Sequence, residues 1–216
     1  MAANVPAPPM TPAQQLHRGL AALGLAPGAA VEQRLLDFLA LLGKWNRTYN
    51  LTAVRDPEEM VTRHLLDSLA IEPHLRGPRV LDVGTGAGLP GIPLALVHPE
   101  LSFVMLDSLA KKIHFVRQAI TELGLTNAEA VQARVEDYRP AAPFDTVVAR
   151  AFASIPDMLA HAGHLCARGG RFLAMKGGHP RAELDAVPAG FTVEAVHRLS
   201  VPGLDAERHL VVLTPQ

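Results

Sequence analysis

Alternating glycines follow a short apolar run in the first half of the chain. Residues 79–91 read RVLDVGTGAGLPG, in which 80–83 is typical of a buried strand and the last glycine opens an apolar, helix-like stretch. A glycine turn between a strand and a helix lets bare backbone lie against a nucleotide-like ligand. Dinucleotide-binding turns read G-x-G-x-x-G, but Leu89 occupies the place of the third glycine. Gly84 and Gly86 are therefore candidate contacts for an uncharged, adenosine-bearing ligand as well as for a pyrophosphate.

Two aspartates stand at the ends of predicted strands beside this turn. Asp107 ends the second strand, 23 residues beyond Gly84, where a carboxylate can accept hydrogen bonds from both ribose hydroxyls of an adenosine. It could instead cap the helix predicted to begin at Ser108. Asp82 ends the first strand beneath the turn. It could orient the loop amides, meet the amino group of a bound amino acid, or act only as a structural acceptor.

Three further candidates follow later strands on the ligand side of the predicted sheet. Val135 and Glu136 come after the third strand, where an apolar side chain can pack against adenine, although an ordinary surface loop has the same composition. Arg150 ends the fourth strand at its carboxyl end, where open α/β sheets bind ligands, or it pairs with a neighbouring carboxylate. Residues 151–154 lack the Asn/Asp-Pro-Pro-aromatic sequence of amino-group methylases, which argues against methylation of an exocyclic amine.

Basic residues form three clusters that could contact a phosphate backbone. Such a cluster is usually only a solvated face, but on the rim of a ligand cleft it can hold phosphates. The ten histidines show no metal-ligand spacing, so no metal site is expected. The clusters are Lys44, Arg47 and Arg55; Arg63 and His64; and Arg168, Arg171, Lys176 and Arg181.

Length and composition favour one domain with an appended element. The chain has 216 residues, 49% of them hydrophobic, and a net charge of −1, so it can bury a full core and is not basic overall. A single cysteine suits a reducing compartment. Residues 1–12 carry four prolines and no basic residue, which predicts a disordered tail and not a signal peptide. With no apolar run long enough to span a bilayer, we expect a cytoplasmic protein with no membrane contact.

The pattern of predicted elements changes near residue 77. Residues 13–76 show helical spacing only, with helices expected at 14–23, 31–45 and from Asp56 to about residue 71. From residue 77 onward, strands alternate with helices, which predicts a mostly parallel, doubly wound α/β sheet. The strands are expected at 80–83, 102–107, 128–132, 145–149 and 171–176, and the helices at 90–97, 108–123 and 155–167.

The last two predicted strands differ from the rest. Residues 191–199 and 209–213 are separated only by a turn, so they are expected to form an antiparallel hairpin. A parallel sheet closed by such a hairpin is the Rossmann-like sheet of class I S-adenosylmethionine-dependent methyltransferases, and dehydrogenase domains usually lack it. We therefore predict a methyltransferase domain over 77–216, preceded by an N-terminal helical extension over 13–76.

Several segments together resemble the RsmG (GidB) family of bacterial 16S ribosomal RNA guanine-N7 methyltransferases. The resemblance covers nearly everything from about residue 30 to the C-terminus, and several of its motifs are more specific than a glycine turn. The matching segments are KWNRTYNLT (44–52), RHLLDS (63–68), DVGTGAGLPGIP (82–93), LDS (106–108) with Lys111 and Lys112, RAFA (150–153), MKG (175–177) and ERHL (207–210).

The resemblance implies methyl transfer from S-adenosylmethionine to N7 of guanosine 527, in the 530 loop of 16S rRNA. Guanine N7 carries a free lone pair and no proton, so no catalytic general base is expected. The implied partner is 16S rRNA or the small ribosomal subunit, and a monomer is expected. The implied cofactor contacts are Gly84, Leu89, Val135, Glu136 and Arg150, with Asp107 on the ribose; Asp82 and Gly86 complete the expected cofactor site, and Arg63, His64 and Lys176 are the expected RNA contacts.

Three other functions stay open on the sequence alone. The near-neutral charge is compatible with a methyltransferase of a small metabolite, and the basic clusters with a non-catalytic ribosome-assembly factor. A nicotinamide-dependent dehydrogenase is the third. Substrate binding that weakens steeply with salt would favour RNA over a metabolite, and binding of S-adenosylmethionine rather than NAD would exclude the dehydrogenase.

Overall fold

A computed structural model of the chain describes residues 10–150, 152 and 154–216. Residues 1–9, most of the predicted disordered tail, lie outside the described residues. Ala151 and Ala153, which belong to one of the matching motifs, also lie outside them.

Two helices open the described chain, α1 (Pro12–Ala22) and α2 (Ala29–Tyr49). The first begins earlier than predicted because Thr11 and Gln14 form a capping box, in which each side chain bonds the other residue's backbone N–H at 3.3 and 3.0 Å. The second ends at Asn50, whose φ of 47° is left-handed. Both predicted helices are therefore present; α1 is shifted toward the N-terminus, and α2 is longer at both ends.

The third predicted helix is interrupted by a π-helical turn. It begins as α3 (Pro57–Met60), capped by Asp56 as predicted, continues as a π-helix (Val61–Leu66) and ends as α4 (Asp67–Leu69). Its backbone packs closely on α1, where the Leu66 side chain fills the space beside Gly19. The wider turn leaves Arg63 exposed while His64 and Asp67 are buried. Such turns are rare and frequently lie at functional sites.

Seven strands of the described chain form one sheet in the order β3-β2-β1-β4-β5-β7-β6. Strands β1 to β5 pair in parallel, while β7 is antiparallel to both β5 and β6. The predicted mostly parallel sheet with a C-terminal hairpin is confirmed. The strands are β1 (Arg79–Val83), β2 (Ser102–Asp107), β3 (Ala128–Gln132), β4 (Phe144–Ala149), β5 (Cys166–Lys176), β6 (Phe191–Arg198) and β7 (His209–Pro215).

The helices between these strands are α5 (Gly91–Val97), α6 (Ala110–Glu122), α7 (Ile155–Ala162) and α8 (Arg181–Asp185). The prediction of a helix up to residue 167 is wrong, because Cys166 pairs with Phe144 and already belongs to β5. Sheet pairing overrides the local helical spacing there. The short α8 was not predicted, and a 3-10 turn (Val135–Asp137) follows β3 and contains the predicted contacts Val135 and Glu136.

Two hydrophobic clusters cover the two faces of the sheet. The larger joins the N-terminal helices, α5 and α6 to one face, and the smaller packs α7 on the other. Phe38 of α2 meets Phe115 of α6 with ring centroids 6.3 Å apart. The helical extension therefore shares a core with the sheet, and the division at residue 77 stays a prediction. No helix in the described ranges is long and apolar enough to cross a membrane.

This shared core predicts that a cavity in the helical extension destabilises the whole chain. Phe38 is fully buried, so Phe38→Ala should lower the free energy of unfolding by about 3–5 kcal/mol. Urea denaturation should show one transition, followed both by the fluorescence of Trp45 and by circular dichroism. Met10→Ala, at a position 43% exposed, is the control and should change little. Two separate transitions, with only the first shifted, would contradict a shared core.

Candidate functional site

The glycine turn after β1 is held in a conformation that exposes its backbone. The backbone N–H groups of Gly84 and Thr85 both donate to the carbonyl of Leu106, at 2.8 and 3.0 Å. Gly84 and Gly86 have φ angles of 67° and 59°, in the left-handed region that favours glycine. A Cβ atom at Gly84 would meet no described atom within 4 Å, so the turn is an open cradle on its outer side.

Asp107 joins this turn to the end of β2. Its Oδ2 accepts a hydrogen bond from Gly86 N at 3.0 Å and its Oδ1 accepts one from Leu109 N at 2.9 Å, while Lys112 Nζ lies 3.7 Å from Oδ2. The capping interpretation is wrong, because α6 begins at Ala110 and its N-cap is Leu109, so the Asp107 carboxylate forms only a local turn ahead of the helix. Each oxygen has a further lone pair, which leaves acceptor capacity for a ribose hydroxyl.

Asp82 supports the turn from below. Its Oδ2 accepts hydrogen bonds from Thr85 Oγ1 at 2.6 Å and from Gly91 N at 2.9 Å. Burial raises the pKa of this carboxyl group to about 6, against the two hydrogen bonds, which lower it. With 1% of Asp82 exposed, the structure favours the loop-orienting role among the three interpretations.

Leu89 lies inside the larger hydrophobic cluster and is only 2% exposed. Its backbone N–H donates to Thr85 O at 3.0 Å. The side chain therefore packs the core beneath the turn and lines neither of the cavities described below.

A cavity of about 160 Å³ lies beside the glycine turn, over the ends of β1 and β2. It brings together four of the predicted cofactor residues, and Phe152 adds an aromatic wall that the sequence interpretation did not include. Binding pockets usually measure 300–1,000 Å³, so this space suits part of a ligand, and its apolar walls beside a carboxylate fit an adenosine. This loop cavity is lined by Val83, Gly84, Asp107, Val135, Glu136 and Phe152, among others.

A second cavity, of about 350 Å³, lies over the ends of β4 and β5, and β4 is the neighbour of β1 in the sheet. It brings the expected RNA contacts together with Arg150, although they come from distant parts of the chain. Asp67 and Arg208 were not predicted as site residues, even though both stand in the matching motifs. This polar cavity is lined by Val54, Arg63, His64, Asp67, Arg150, Met175, Lys176, Gly177 and Arg208.

Asp67 binds two arginines on the wall of the polar cavity. Its Oδ1 accepts a hydrogen bond from Arg208 Nε at 2.8 Å, and its Oδ2 lies 3.7 Å from Arg150 Nη1. Arg150 also donates to the carbonyl of Arg63 at 3.3 Å. Burial lowers the pKa of Arg150, while the carboxylates of Asp67 and Asp82 raise it. The alternative for Arg150, a pair with a neighbouring carboxylate, is therefore confirmed. Both residues of this pair line the polar cavity.

His64 is buried and hydrogen-bonded, in contrast to its expected place in a basic cluster. Its Nε2 lies 2.9 Å from Thr52 Oγ1, and the backbone of Thr52 makes two hydrogen bonds of 2.9 Å with the Asn46 side chain. Burial, and after it the positive charge of Arg150, lower the pKa of His64 to about 4. The ring is neutral at pH 7, so His64 adds no positive charge for a phosphate.

The third basic cluster is spread along β5. Arg171 lies at the middle of the strand, where it donates to His74 O at 3.2 Å and pairs with Glu194 at 3.6 Å. Lys176 lies at the carboxyl end, where its Nζ is 2.8 Å from Glu183 Oε2. The run of basic residues is therefore not one surface, and only Lys176 of these two lines the polar cavity.

The remaining metal-ligating and nucleophilic side chains form no second site in the described ranges. No group of three His, Cys, Asp or Glu residues there could hold a metal ion. Burial raises the pKa of the Cys166 thiol to about 12. Since the thiolate is the nucleophilic form, this cysteine is unreactive at neutral pH.

Comparison with known proteins gives a consistent family. The profile of the family described as rRNA small subunit methyltransferase G matches residues 31–211. Two similar proteins carry the name ribosomal RNA small subunit methyltransferase G. The one from Methylococcus capsulatus is 58% identical over 93% of this chain and 97% of its own length. The one from Serratia proteamaculans is 54% identical over 93% of this chain and 98% of its own length.

Solved structures share the fold at lower identity. A glycopeptide N-methyltransferase, MtfA, in complex with S-adenosylhomocysteine has a TM-score of 0.60 and 14% identity, covering 69% of this chain and 87% of its own. TrmN from Thermus thermophilus has a TM-score of 0.55 and 21% identity, covering 79% of this chain and 53% of its own. These likenesses show the class I methyltransferase fold.

The buried, neutral His64 predicts a specific dependence of stability on pH. Its pKa is about 4 in the fold and near 6.5 when unfolded, so the unfolded chain binds more protons between these values and stability decreases as the pH is lowered. From pH 7.5 to pH 5, the free energy of unfolding should fall by about 2 kcal/mol more in the wild type than in His64→Asn. Urea denaturation at both pH values measures this difference. Asp82 titrates in both proteins, so its contribution cancels in the difference. An equal pH dependence of stability in the wild type and in His64→Asn would contradict the burial of His64.

Proposed function

We propose that this chain, which belongs to the rRNA small subunit methyltransferase G family, transfers a methyl group from S-adenosylmethionine to N7 of a guanine in 16S rRNA, guanosine 527 of the 530 loop. The observation that carries the proposal is the position of Asp107. Its carboxylate fixes the open glycine turn through Gly86 and lines the loop cavity, while the arginine-walled cavity lies over β4, the strand next to β1 in the sheet.

The loop cavity supports a specific placement of the cofactor's adenosine. Asp107 accepts the ribose hydroxyls with the lone pairs that its two backbone partners leave free. Val135 and Phe152 provide apolar contact for adenine, and Glu136 lies at the edge of the base. Gly84 and Gly86 supply bare backbone, while Asp82 and Leu89 act from beneath by holding the turn in shape.

The polar cavity supports a specific placement of the acceptor. An arginine commonly binds both O6 and N7 of guanine, but methylation at N7 requires this nitrogen to stay free. Arg150 and Arg208, both held by Asp67, can donate to O6 and leave N7 facing the loop cavity. The major groove of an RNA duplex is too narrow for this approach, so an unpaired guanine is the expected substrate. Arg63 and Lys176 line the same cavity and contact the RNA.

The chain's residues act by positioning and by exclusion of water. When bound, S-adenosylmethionine supplies an electrophilic methyl group on a sulfonium. N7 has a lone pair and no proton, so none of the residues at the site has to act as a general base, and Arg150 stays protonated as a donor. Alignment of two reacting groups in a closed site can supply about 7–11 kcal/mol of the barrier.

The proposal extends to the setting of the reaction. The partner is 16S rRNA or the small ribosomal subunit, and the enzyme acts as a monomer. Because small subunits are assembled in the bacterial cytoplasm, we place its action there.

Methylation of small subunits that lack the modification tests the proposal directly. The protein and S-adenosylmethionine should produce one 7-methylguanosine, located at guanosine 527 by mass mapping of nuclease fragments. Methyl transfer to a different atom or nucleotide would overturn the assignment of N7. Transfer to a small metabolite, with none to RNA, would overturn the assignment of RNA as the substrate. Complementation of a strain that lacks the gene by a variant unable to bind the cofactor would overturn the proposal of methyl transfer.

The role of Asp107 predicts a loss of cofactor affinity on substitution. Asp107→Asn keeps the shape of the side chain and removes the charge, so it should weaken binding of S-adenosylmethionine about 10- to 100-fold, as expected for the loss of hydrogen bonds to a charged acceptor. Isothermal titration calorimetry measures the affinity. Asp205→Asn, at an exposed position of the β6–β7 connection, is the matched control and should bind normally. Equal affinities for the two variants would remove Asp107 from the site.

A further inference from the structure

The most spacious cavity described lies outside the proposed cofactor and acceptor sites. It measures about 740 Å³ and is bounded by the start of α1, one side of α2 and the segment leading into α3. Its floor is mostly apolar and its rim carries the first of the three basic clusters. We call it the helix groove. The floor residues include Leu36, Leu39, Ala40, Gly43 and Met60, and the rim residues are Lys44, Arg47 and Arg55.

The helix groove adjoins the polar cavity. Val54 lines both spaces, so the two share one wall. The wall is stiffened by hydrogen bonds that run from Asn46, which lines the groove, through Thr52 to His64, which lines the polar cavity. An extended ligand that fills the polar cavity therefore ends next to the groove, with Val54 between the two spaces.

The two spaces differ in how their positive charges are balanced. In the polar cavity, Arg208 and Arg150 pair with Asp67, and Lys176 pairs with Glu183. At the groove, by contrast, Arg55 has a neutral partner: it donates a hydrogen bond to the Asn50 side chain at 3.1 Å.

Among the described residues, no carboxylate pairs with any of the three rim cations. All three side chains are exposed. The unbalanced positive charge beside the site therefore lies along the groove.

We propose that the helix groove binds the RNA strand that continues from the target guanine. Phosphates of this strand contact Lys44, Arg47 and Arg55, and an unpaired base lies on the apolar floor. The inference rests on the proposed function, because the guanine must occupy the polar cavity for the strand to enter the groove. Single-stranded RNA combines the two features that the groove can recognise, a row of negative charges and apolar base faces.

Substitution of two rim cations tests the proposal. Both side chains are exposed, so Lys44→Ala/Arg47→Ala should fold normally and bind S-adenosylmethionine like the wild type. Its affinity for unmethylated small subunits should fall roughly 10-fold, and the slope of log affinity against log salt should shrink by about two, as expected for two lost phosphate contacts. The matched control is Arg117→Ala/Arg198→Ala, two exposed cations elsewhere, with affinity and slope unchanged.

A second variant separates the floor from the rim. Ala40→Trp fills the groove without a change in charge, so it should weaken binding of the small subunit while the salt slope stays the same. Unchanged affinity in both variants would overturn the proposal. A loss of affinity in Lys44→Ala/Arg47→Ala alone would overturn the proposal that a base lies on the apolar floor. Weakened self-association or protein binding, with RNA binding intact, would assign the groove to a protein partner.

Binding is measured without S-adenosylmethionine, which keeps the two proposals distinguishable. Groove-dependent RNA binding without methyl transfer would contradict the proposed function and leave the groove assigned to RNA. Methyl transfer by the wild type, with unchanged RNA binding in the groove variants, would contradict only the assignment of the groove to RNA.

Discussion

The site depends on one buried carboxylate, that of Asp82. A single oxygen accepts two hydrogen bonds, one from the hydroxyl of Thr85 at the start of the glycine turn and one from the backbone N–H of Gly91 at the start of α5. The turn is thereby closed at both ends, and Asp107 fixes its middle through Gly86. These bonds offset the cost of burying the Asp82 carboxylate, whose pKa is nevertheless raised to about 6. The open cradle beside the loop cavity follows from this arrangement.

The distribution of charge fits the proposed chemistry. Methyl transfer moves a positive charge from the sulfonium to the guanine ring, so free cations around the acceptor would repel both the cofactor and the product. In the polar cavity the cations are paired with Asp67 and Glu183, which limits this repulsion while hydrogen-bond donors stay available. The unbalanced cations lie further away, along the helix groove, where they can attract phosphates without facing the reacting atoms.

The sequence predicted those features that depend on local patterns. Strand and helix periodicity located the sheet and its hairpin, and the spacing from Gly84 to Asp107 located residues that meet in the loop cavity. Features set by distant contacts were missed. The π-helical turn forms where α1 packs on Leu66, and it places Asp67 against Arg208, 141 positions away. Burial also changed two expectations, since neither the charge of His64 nor the side chain of Leu89 could be judged without the packing around them.

We propose that the glycine turn and the arginine-walled cavity form one site for donor and acceptor. A crystal structure of the protein with S-adenosylhomocysteine would test this arrangement. In that structure we expect ribose hydroxyls within hydrogen-bond distance of Asp107, adenine between Val135 and Phe152, and the sulfur directed toward Arg150. A ligand bound elsewhere, or one whose sulfur points away from the polar cavity, would contradict it.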